Sequence, residues 1–177
     1  MKIVELCAEN IQDINKSIQP FEVIGRIKPS FCNGKWTYEE DIYTYSYLKM
    51  YPIPDDDFSA YIGNVNRTVF FAYQNEICIG QIVLKKDWNQ YAFIEGLYVA
   101  KIARGNGVGI ALLERAVSWA KESKLKGLAL ETQDINVLAC RFYAKHGFKI
   151  GGINTMLYKN FEKPLSDEIA IFWYLSF

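Results

Sequence analysis

The middle of the chain shows an alternation of apolar and polar positions that predicts three consecutive strands. The strands cover residues 69–73, 77–85 and 91–99, and polar turns at 74–76 and 88–90 separate them. We expect the first two strands to form a hairpin and the third to continue the antiparallel order.

The apolar spacing changes at residue 108 from a strand period to a helical one. A helix over residues 108–123 carries its apolar side chains on one stripe, and a second helix follows at 135–145. Strands are predicted at 127–131, 148–158 and 169–175. The order of elements indicates an α+β or mixed α/β fold, whose central sheet changes from antiparallel to partly parallel.

The first third of the chain carries weaker signals and ends in a loop with an acidic tip. The predicted elements are a strand at 2–7, a helix at 10–17 that Pro20 ends, a strand at 21–28 and loops at 29–35 and 51–57. The aromatic-rich residues 36–47 are ambiguous, and no secondary structure is predicted for them. No segment is long enough to be a linker between domains. We therefore expect one domain over residues 1–177.

Composition and charge exclude several classes of protein. Half of the 177 residues are apolar and 15% are aromatic, so the chain can bury a core. Lys plus Arg and Asp plus Glu number 20 each, a balance that does not favour nucleic acid as a partner. The first residues lack the apolar run of a signal peptide, and no segment has the roughly 18 apolar residues that a membrane span needs, so we expect a cytoplasmic protein without a membrane partner.

Cysteine and histidine offer no basis for a metal site. The four cysteines lie at positions 7, 32, 78 and 140, and none forms a C-x-x-C pair. The single histidine, His146, falls near the end of the second predicted helix. We expect reduced thiols and no bound metal.

A glycine-rich segment, Arg104-Gly-Asn-Gly-Val-Gly109, lies between the third strand and the first helix. Glycines let the backbone approach a ligand, and a helix start adds unpaired N–H groups and partial positive charge. This arrangement suits a pyrophosphate, although an ordinary glycine-rich connection has the same composition. The spacing matches neither the G-x-G-x-x-G dinucleotide motif nor a P-loop.

The second helix carries a further pattern, in which Asn136, Ala139 and Tyr143 share one face. Phe142 precedes the tyrosine, and Gly147-Phe148 follows the helix. An amide, a small residue and a phenol on one face can line a groove. An amphipathic core helix with buried aromatic side chains is the alternative.

The two motifs together, R-x-x-G-x-G and N-x-x-A-x-x-F-Y-x-x-x-G-F, resemble the acetyl-CoA site of the GNAT superfamily over about residues 69–158. The resemblance implies a GNAT-like fold, in which two central strands of a mixed, mostly antiparallel sheet splay apart around the pantetheine arm. The implied cofactor contacts are the backbone of Leu97, Tyr98 and Val99, the amides of Arg104, Gly105, Asn106, Gly107, Val108, Gly109 and Ile110, and the side chains of Asn136, Ala139 and Tyr143.

The reaction of such an enzyme needs an acid and a base. A phenol with a pKa of about 10 can protonate or hydrogen-bond a thiolate leaving group of pKa about 8.5, and the resemblance places Tyr143 near the sulfur. An attacking amine of pKa about 10.4 must first lose a proton. Glu95 is the candidate base, since it shares a strand face with Leu97 and Val99. Glu131, Asp134 and water are the alternatives.

Longer segments resemble the streptothricin acetyltransferase family, which acetylates the β-lysine moiety of that antibiotic. The matching segments are residues 20–25, 88–99, 127–158 and 171–175. One departure is Gly96, where that family commonly has an aspartate after Ile94-Glu95. The resemblance implies a cationic amine as acceptor, with transfer to a polyamine, an aminoglycoside or a protein lysine as alternatives. A non-catalytic acyl-CoA-binding module is the alternative from another class.

A polycationic acceptor suits an acidic and aromatic cleft. The candidate contacts are Asp87, Trp88, Tyr91, Glu95, Glu131 and Asp134. The run Asp55-Asp56-Asp57 is either a lid over such a cleft or a solvated loop. The sequence leaves both a monomer and a homodimer open.

Overall fold

A computed structural model describes residues 1–177 and contains nine strands and two α-helices. The strands are β1 (Lys2–Glu5), β2 (Phe21–Cys32), β3 (Lys35–Lys49), β4 (Arg67–Gln74), β5 (Ile77–Lys86), β6 (Ala92–Val99), β7 (Gly127–Gln133), β8 (Lys149–Asn154) and β9 (Ala170–Ser176), and the helices are α1 (Val108–Glu122) and α2 (Val137–Lys145). Seven strands form a mixed sheet, and β2 and β3 form a separate two-stranded sheet. The predicted fold class is confirmed.

The first of two compact units comprises Met1–Gln19, Tyr51–Leu128 and Ser176–Phe177. Its strands follow the order β1-β4-β5-β6, and each neighbouring pair is antiparallel. β4 and β5 are the two predicted hairpin partners, and nearly all of their central side chains are buried. Helix α1 packs on β4, β5 and β6 through its predicted apolar stripe.

Helix α1 approaches the sheet closely at Gly80 of β5. A Cβ atom at Gly80 would lie 3.0 Å from Val108 Cγ1 and 3.1 Å from Leu112 Cδ1, so glycine makes room for the first helical turn. Gly80 pairs with Val99, the last residue of β6. This contact therefore holds the start of α1 beside the end of β6.

A second hydrophobic cluster of the first unit anchors the segment that precedes β4. Phe58 and Tyr61 lie in a short 3₁₀ turn and are buried against Leu6, Phe71 and Val83. The Asp57 carboxylate caps this turn by accepting a bond from the Ser59 amide. The acidic run that the sequence suggested as a lid is thus joined directly to a buried aromatic anchor.

The second unit comprises Pro20–Met50 and Ala129–Leu175. It contains the long β2–β3 hairpin, the strands β7, β9 and β8 in that order, and helix α2, which packs on β2. Trp173 is fully buried and donates from Nε1 to the Thr132 hydroxyl at 2.9 Å. The edge of Tyr38 packs against the Trp173 ring, with the ring centroids 6.1 Å apart.

The helix predicted at residues 10–17 is wrong, because only Ile11–Asp13 form a single 3₁₀ turn. The Asn10 side chain accepts from the Cys7 amide at 2.8 Å and donates to the Glu5 carbonyl at 2.9 Å. Asn15 takes a left-handed conformation, with φ of 63°. Side-chain bonds to the backbone compete with helical bonds in this segment and hold a series of turns.

The loop predicted at residues 29–35 is also wrong. β2 continues through Pro29 to Cys32, and Asn33 and Gly34 form a two-residue turn with φ of 52° and 75°. Positive φ at both positions matches the twist of a hairpin. Residues 36–47, for which the sequence predicted no secondary structure, lie entirely in β3. The strand predicted at 148–158 is shorter than expected and ends at Asn154.

The other predicted strands and both helices of the second half are found within a few residues of their expected bounds. None of the helices is both long and apolar enough to cross a membrane. The single domain expected over residues 1–177 stays a prediction.

Candidate active site

The glycine loop connects β6 to α1 and depends on two left-handed glycines. Gly105 and Gly107 have φ of 77° and 79°, and Gly107 is the N-cap of α1 without a side-chain cap. Beyond the adjacent residues, no atom lies within 4 Å of the place where a Cβ would stand at either position. The backbone conformation, rather than crowding, therefore requires glycine in this loop.

The start of α1 leaves several amides outside the helix. The first intrahelical bond runs from the Ala111 amide to the Gly107 carbonyl, at 3.0 Å. The amides of Val108, Gly109 and Ile110 therefore have no partner within the helix, and the helix dipole adds positive potential there. This geometry fits a pyrophosphate. The Arg104 amide differs from the prediction, because it donates to the Lys101 carbonyl at 3.3 Å.

The Arg104 side chain ties the loop to the protein. Its Nε donates to the Val99 carbonyl at 3.0 Å, and a terminal nitrogen reaches the Gln19 carbonyl at 3.4 Å. Asn106 donates to the Arg104 carbonyl at 3.4 Å. The guanidinium therefore holds the end of β6 and the loop together.

The predicted pantetheine strand is β6. Leu97, Tyr98 and Val99 are half-buried, and the register sets them opposite Ile82, Gln81 and Gly80 of β5. The contact of their backbone with a cofactor arm stays a prediction.

Glu95 lies in a β-bulge of β6. Val83 pairs with Gly96 and Leu84 pairs with Ile94, which leaves Glu95 without an opposing residue. The prediction that Glu95 and Leu97 share a strand face assumed that side chains alternate regularly along β6. The bulge interrupts that alternation at Glu95.

The Glu95 carboxylate has two partners from its own unit. One oxygen lies 2.7 Å from Lys85 Nζ, and the other accepts from the Tyr61 hydroxyl at 3.2 Å. The side chain remains 28% exposed. The Glu95 carboxylate is thus positioned by an ion pair and a hydrogen bond and is still accessible to solvent.

The Tyr98 ring explains why position 96 is a glycine. A Cβ at Gly96 would lie 2.4 Å from Tyr98 Cε2 and 2.7 Å from its hydroxyl oxygen. The phenol ring thus takes the space that a side chain at position 96 would need. Burial raises the pKa of Tyr98, and the charge of Glu95 raises it further, so the phenol stays protonated beside the carboxylate.

Tyr61 is a partner of the candidate base Glu95 that the sequence patterns did not indicate. Arg67 lies over its ring, 5.0 Å from the centroid, and burial followed by the charge of Glu95 raises the pKa of Tyr61. The available signal was the pair Phe58 and Tyr61, two aromatic residues just after the capping Asp57. Nothing in that pattern indicates that the phenol meets Glu95.

The predicted residues of α2 serve the helix and its packing. Asn136 is the N-cap, and its side chain accepts from the Ala139 amide at 3.3 Å. Tyr143 is buried, and its ring packs edge-on against Phe142 and Phe148, with centroid-to-centroid distances of 5.2 Å and 5.3 Å. Both readings of this helix, cofactor groove and aromatic core, are compatible with these contacts.

Glu131 is a half-buried carboxyl of β7. It accepts a short hydrogen bond from the Tyr158 hydroxyl, and Gln133 donates to the same hydroxyl at 3.0 Å. Burial raises the pKa of Glu131, while the bond from Tyr158 partly opposes the rise. A carboxylate with a raised pKa is a stronger base than an exposed one.

The Asp134 carboxylate, by contrast, is fully engaged by partners within its own unit. Its carboxylate is buried, lies 3.1 Å from Arg26 Nε and accepts from the Ile169 amide at 3.0 Å. A second buried pair in this unit joins Glu168 to Lys49. Asp134 therefore holds β2 and the start of β9, which argues against a role as free base or substrate contact.

The acidic and aromatic turn before β6 stands apart from Glu95. Asp87 accepts from the Trp88 amide at 2.9 Å, Trp88 is 91% exposed, and the Tyr91 hydroxyl lies 3.0 Å from Ser176 Oγ. Along a strand, Tyr91 and Glu95 are about 13 Å apart. Their contact with an acceptor stays a prediction.

Comparisons with known proteins agree with this geometry. The profile of the acetyltransferase (GNAT) family matches residues 24–148. Streptothricin acetyltransferase A of Bacillus subtilis is 49% identical over 99% of both chains, and the Escherichia coli streptothricin acetyltransferase is 40% identical over 72% of this chain and 70% of its own.

A solved structure supports the same relationship. A Bacillus anthracis protein assigned as a streptothricin acetyltransferase, in complex with acetyl coenzyme A, superimposes with a TM-score of 0.91 at 39% identity over 99% of both chains. The match extends over both compact units, well beyond the glycine loop. The chain belongs to the GNAT acetyltransferase family and, within it, to the streptothricin acetyltransferases.

Proposed function

We propose that this protein transfers the acetyl group of acetyl-CoA to the primary amine of the β-lysine moiety of streptothricin. The observation that carries the proposal is the 49% identity to a streptothricin acetyltransferase along the whole chain. Identity confined to the glycine loop would support only the cofactor, whereas the segments outside it bear on the acceptor.

The cofactor is assigned to residues that fit its chemistry. Acetyl-CoA supplies the activated acetyl group, and the amides of residues 105–110 bind its pyrophosphate. Leu97, Tyr98 and Val99 bind the pantetheine arm through their backbone, and Asn136 contributes its amide nitrogen, since its oxygen caps α2.

Two side chains carry the proton transfers in this proposal. Glu95 binds the acceptor ammonium and takes its proton, so that the neutral amine attacks the thioester carbonyl. Tyr143 donates a hydrogen bond to the departing thiolate and can protonate it. Because the thiol has a lower pKa than the phenol, the hydrogen bond supplies most of the stabilisation, and the phenol regains any transferred proton from water. Glu131 is the alternative base, favoured by its raised pKa.

The proposed acceptor is tested by thiol release from acetyl-CoA. We expect saturable release with streptothricin, together with a product that is heavier by one acetyl group. Spermidine and an aminoglycoside serve as parallel acceptors. Turnover with one of these amines but not with streptothricin would keep the enzyme and replace the acceptor, and no turnover with any amine would favour an acyl-CoA-binding module.

The cofactor loop is tested by Gly107→Val. A β-branched residue is disfavoured at φ of 79°, so we expect acetyl-CoA affinity to fall at least about tenfold in calorimetry. Gly34→Val is the matched control, because Gly34 has φ of 75° and equally open surroundings in the β2–β3 turn. Both variants should lose stability, but only Gly107→Val should lose affinity, and equal affinities would remove the loop from the site.

The acid is tested by Tyr143→Phe. The ring keeps its contacts with Phe142 and Phe148, so acetyl-CoA binding should be unchanged. Loss of the hydroxyl should lower kcat by about 10²-fold, near the lower end for general acids because a thiolate leaves readily. Tyr38→Phe in the same unit is the control, and a kcat equal to that of the control would exclude the role.

The base is tested by comparing Glu95→Gln with Glu131→Gln over a range of pH. If Glu95 is the base, its variant loses about 10²-fold to 10⁴-fold in kcat/KM together with the acid limb of the profile. A base acts above its pKa, so a limb set by Glu131 would lie above the ordinary glutamate pKa of about 4.3. Loss of the limb in Glu131→Gln alone would assign the base to Glu131, and Glu114→Gln controls for lost surface charge.

A further inference from the structure

The carboxylate that the proposed function assigns to the acceptor already has an ammonium partner within the chain. Lys85 Nζ lies 2.7 Å from one oxygen of Glu95, the distance of a charge-assisted bond. Lys85 belongs to β5, and its register partner on β6 is Phe93, two residues before the bulged Glu95.

The pair has the properties of an exchangeable contact. The Lys85 side chain is 45% exposed and that of Glu95 is 28% exposed, so water and other cations reach both. Exposed pairs of this kind contribute little to stability. The buried pair of Lys49 with Glu168, at 14% and 2% exposed, has no such access.

The surroundings of the pair allow the lysine to leave while the carboxylate stays in place. Tyr61 donates to the second oxygen of Glu95 and is itself fixed in the cluster with Phe71 and Val83. The Lys85 ammonium also lies 5.4 Å from the centroid of the Phe93 ring, within the range of a cation–π contact. A second cation can therefore take the Glu95 oxygen while Lys85 keeps an aromatic neighbour.

We propose that Lys85 occupies, on Glu95, the position that the acceptor's ammonium takes, so that a cationic acceptor binds by displacing this lysine. The inference rests on the proposed function, in which Glu95 binds the acceptor. Lys85 is then a specificity-determining residue that raises KM for cationic acceptors, because each must displace it from Glu95.

A positioning role for Lys85 makes the opposite prediction. If the lysine served to hold Glu95 in its working orientation, its removal would lower kcat and leave acceptor affinity unchanged or weaker. Competition predicts a lower KM with little change in kcat. The division of the effect between KM and kcat therefore separates the two roles.

The experiment compares Lys85→Met with Lys86→Met in steady-state kinetics with streptothricin at saturating acetyl-CoA. Lys86 is the next residue of β5 and is half-buried like Lys85, so both variants remove one positive charge from the same strand. We expect KM for streptothricin to fall about three- to fivefold in Lys85→Met, the range set by an exposed ion pair, and to stay near wild type in Lys86→Met.

Calorimetric binding of spermidine gives a second measurement that needs no turnover. If the wild type does not acetylate streptothricin, the proposed acceptor is wrong, and spermidine binding then decides the role of Lys85. Tighter binding by Lys85→Met than by wild type and Lys86→Met supports displacement. Equal or weaker binding, or no binding to any of the three while acetyl-CoA still binds, overturns it.

Discussion

The contact between the first turn of α1 and Gly80 determines the geometry of the proposed cofactor site. A Cβ at position 80 would lie only 3.0 Å from Val108 Cγ1 and 3.1 Å from Leu112 Cδ1, so glycine lets the helix begin beside the end of β6. The chain must then turn from strand to helix within a short loop, which Gly105 and Gly107 allow through positive φ. The free amides that suit a pyrophosphate follow from this packing.

The carboxylates of the protein differ in what already binds them. Asp134 and Glu168 are buried and paired with Arg26 and Lys49, so each carboxylate is already neutralised by a partner in the second unit. Glu95 is paired as well, but its partner is exposed and replaceable. Breaking a buried pair leaves an uncompensated charge, whereas an exposed pair exchanges with little loss. A carboxylate is suited to bind a cationic acceptor when its ion-pair partner is exposed to solvent, as Lys85 is beside Glu95. The presence of a partner alone does not decide this.

Sequence patterns predicted the second half of the chain well and the first third poorly. Both α-helices have strong apolar stripes, and the strands from residue 69 onward alternate, so periodicity alone located them. In residues 10–17 the apolar spacing resembled a helix, but the Asn10 side chain competes for the backbone. The Asn33-Gly34 dipeptide is a strong hairpin signal, and it explains why β2 and β3 continue through the residues predicted as a loop.

The sequence by itself determined the features that depend on local chemistry: the glycine loop with its left-handed backbone, the helix that follows it and the capped start of α2. Only the tertiary structure decided which acids are available. Tyr61 meets Glu95 across 34 positions, and Asp134 meets Arg26 from another strand. Such partners lie far apart along the chain, so no local periodicity encodes them, and the charge of a carboxylate says nothing about what already neutralises it.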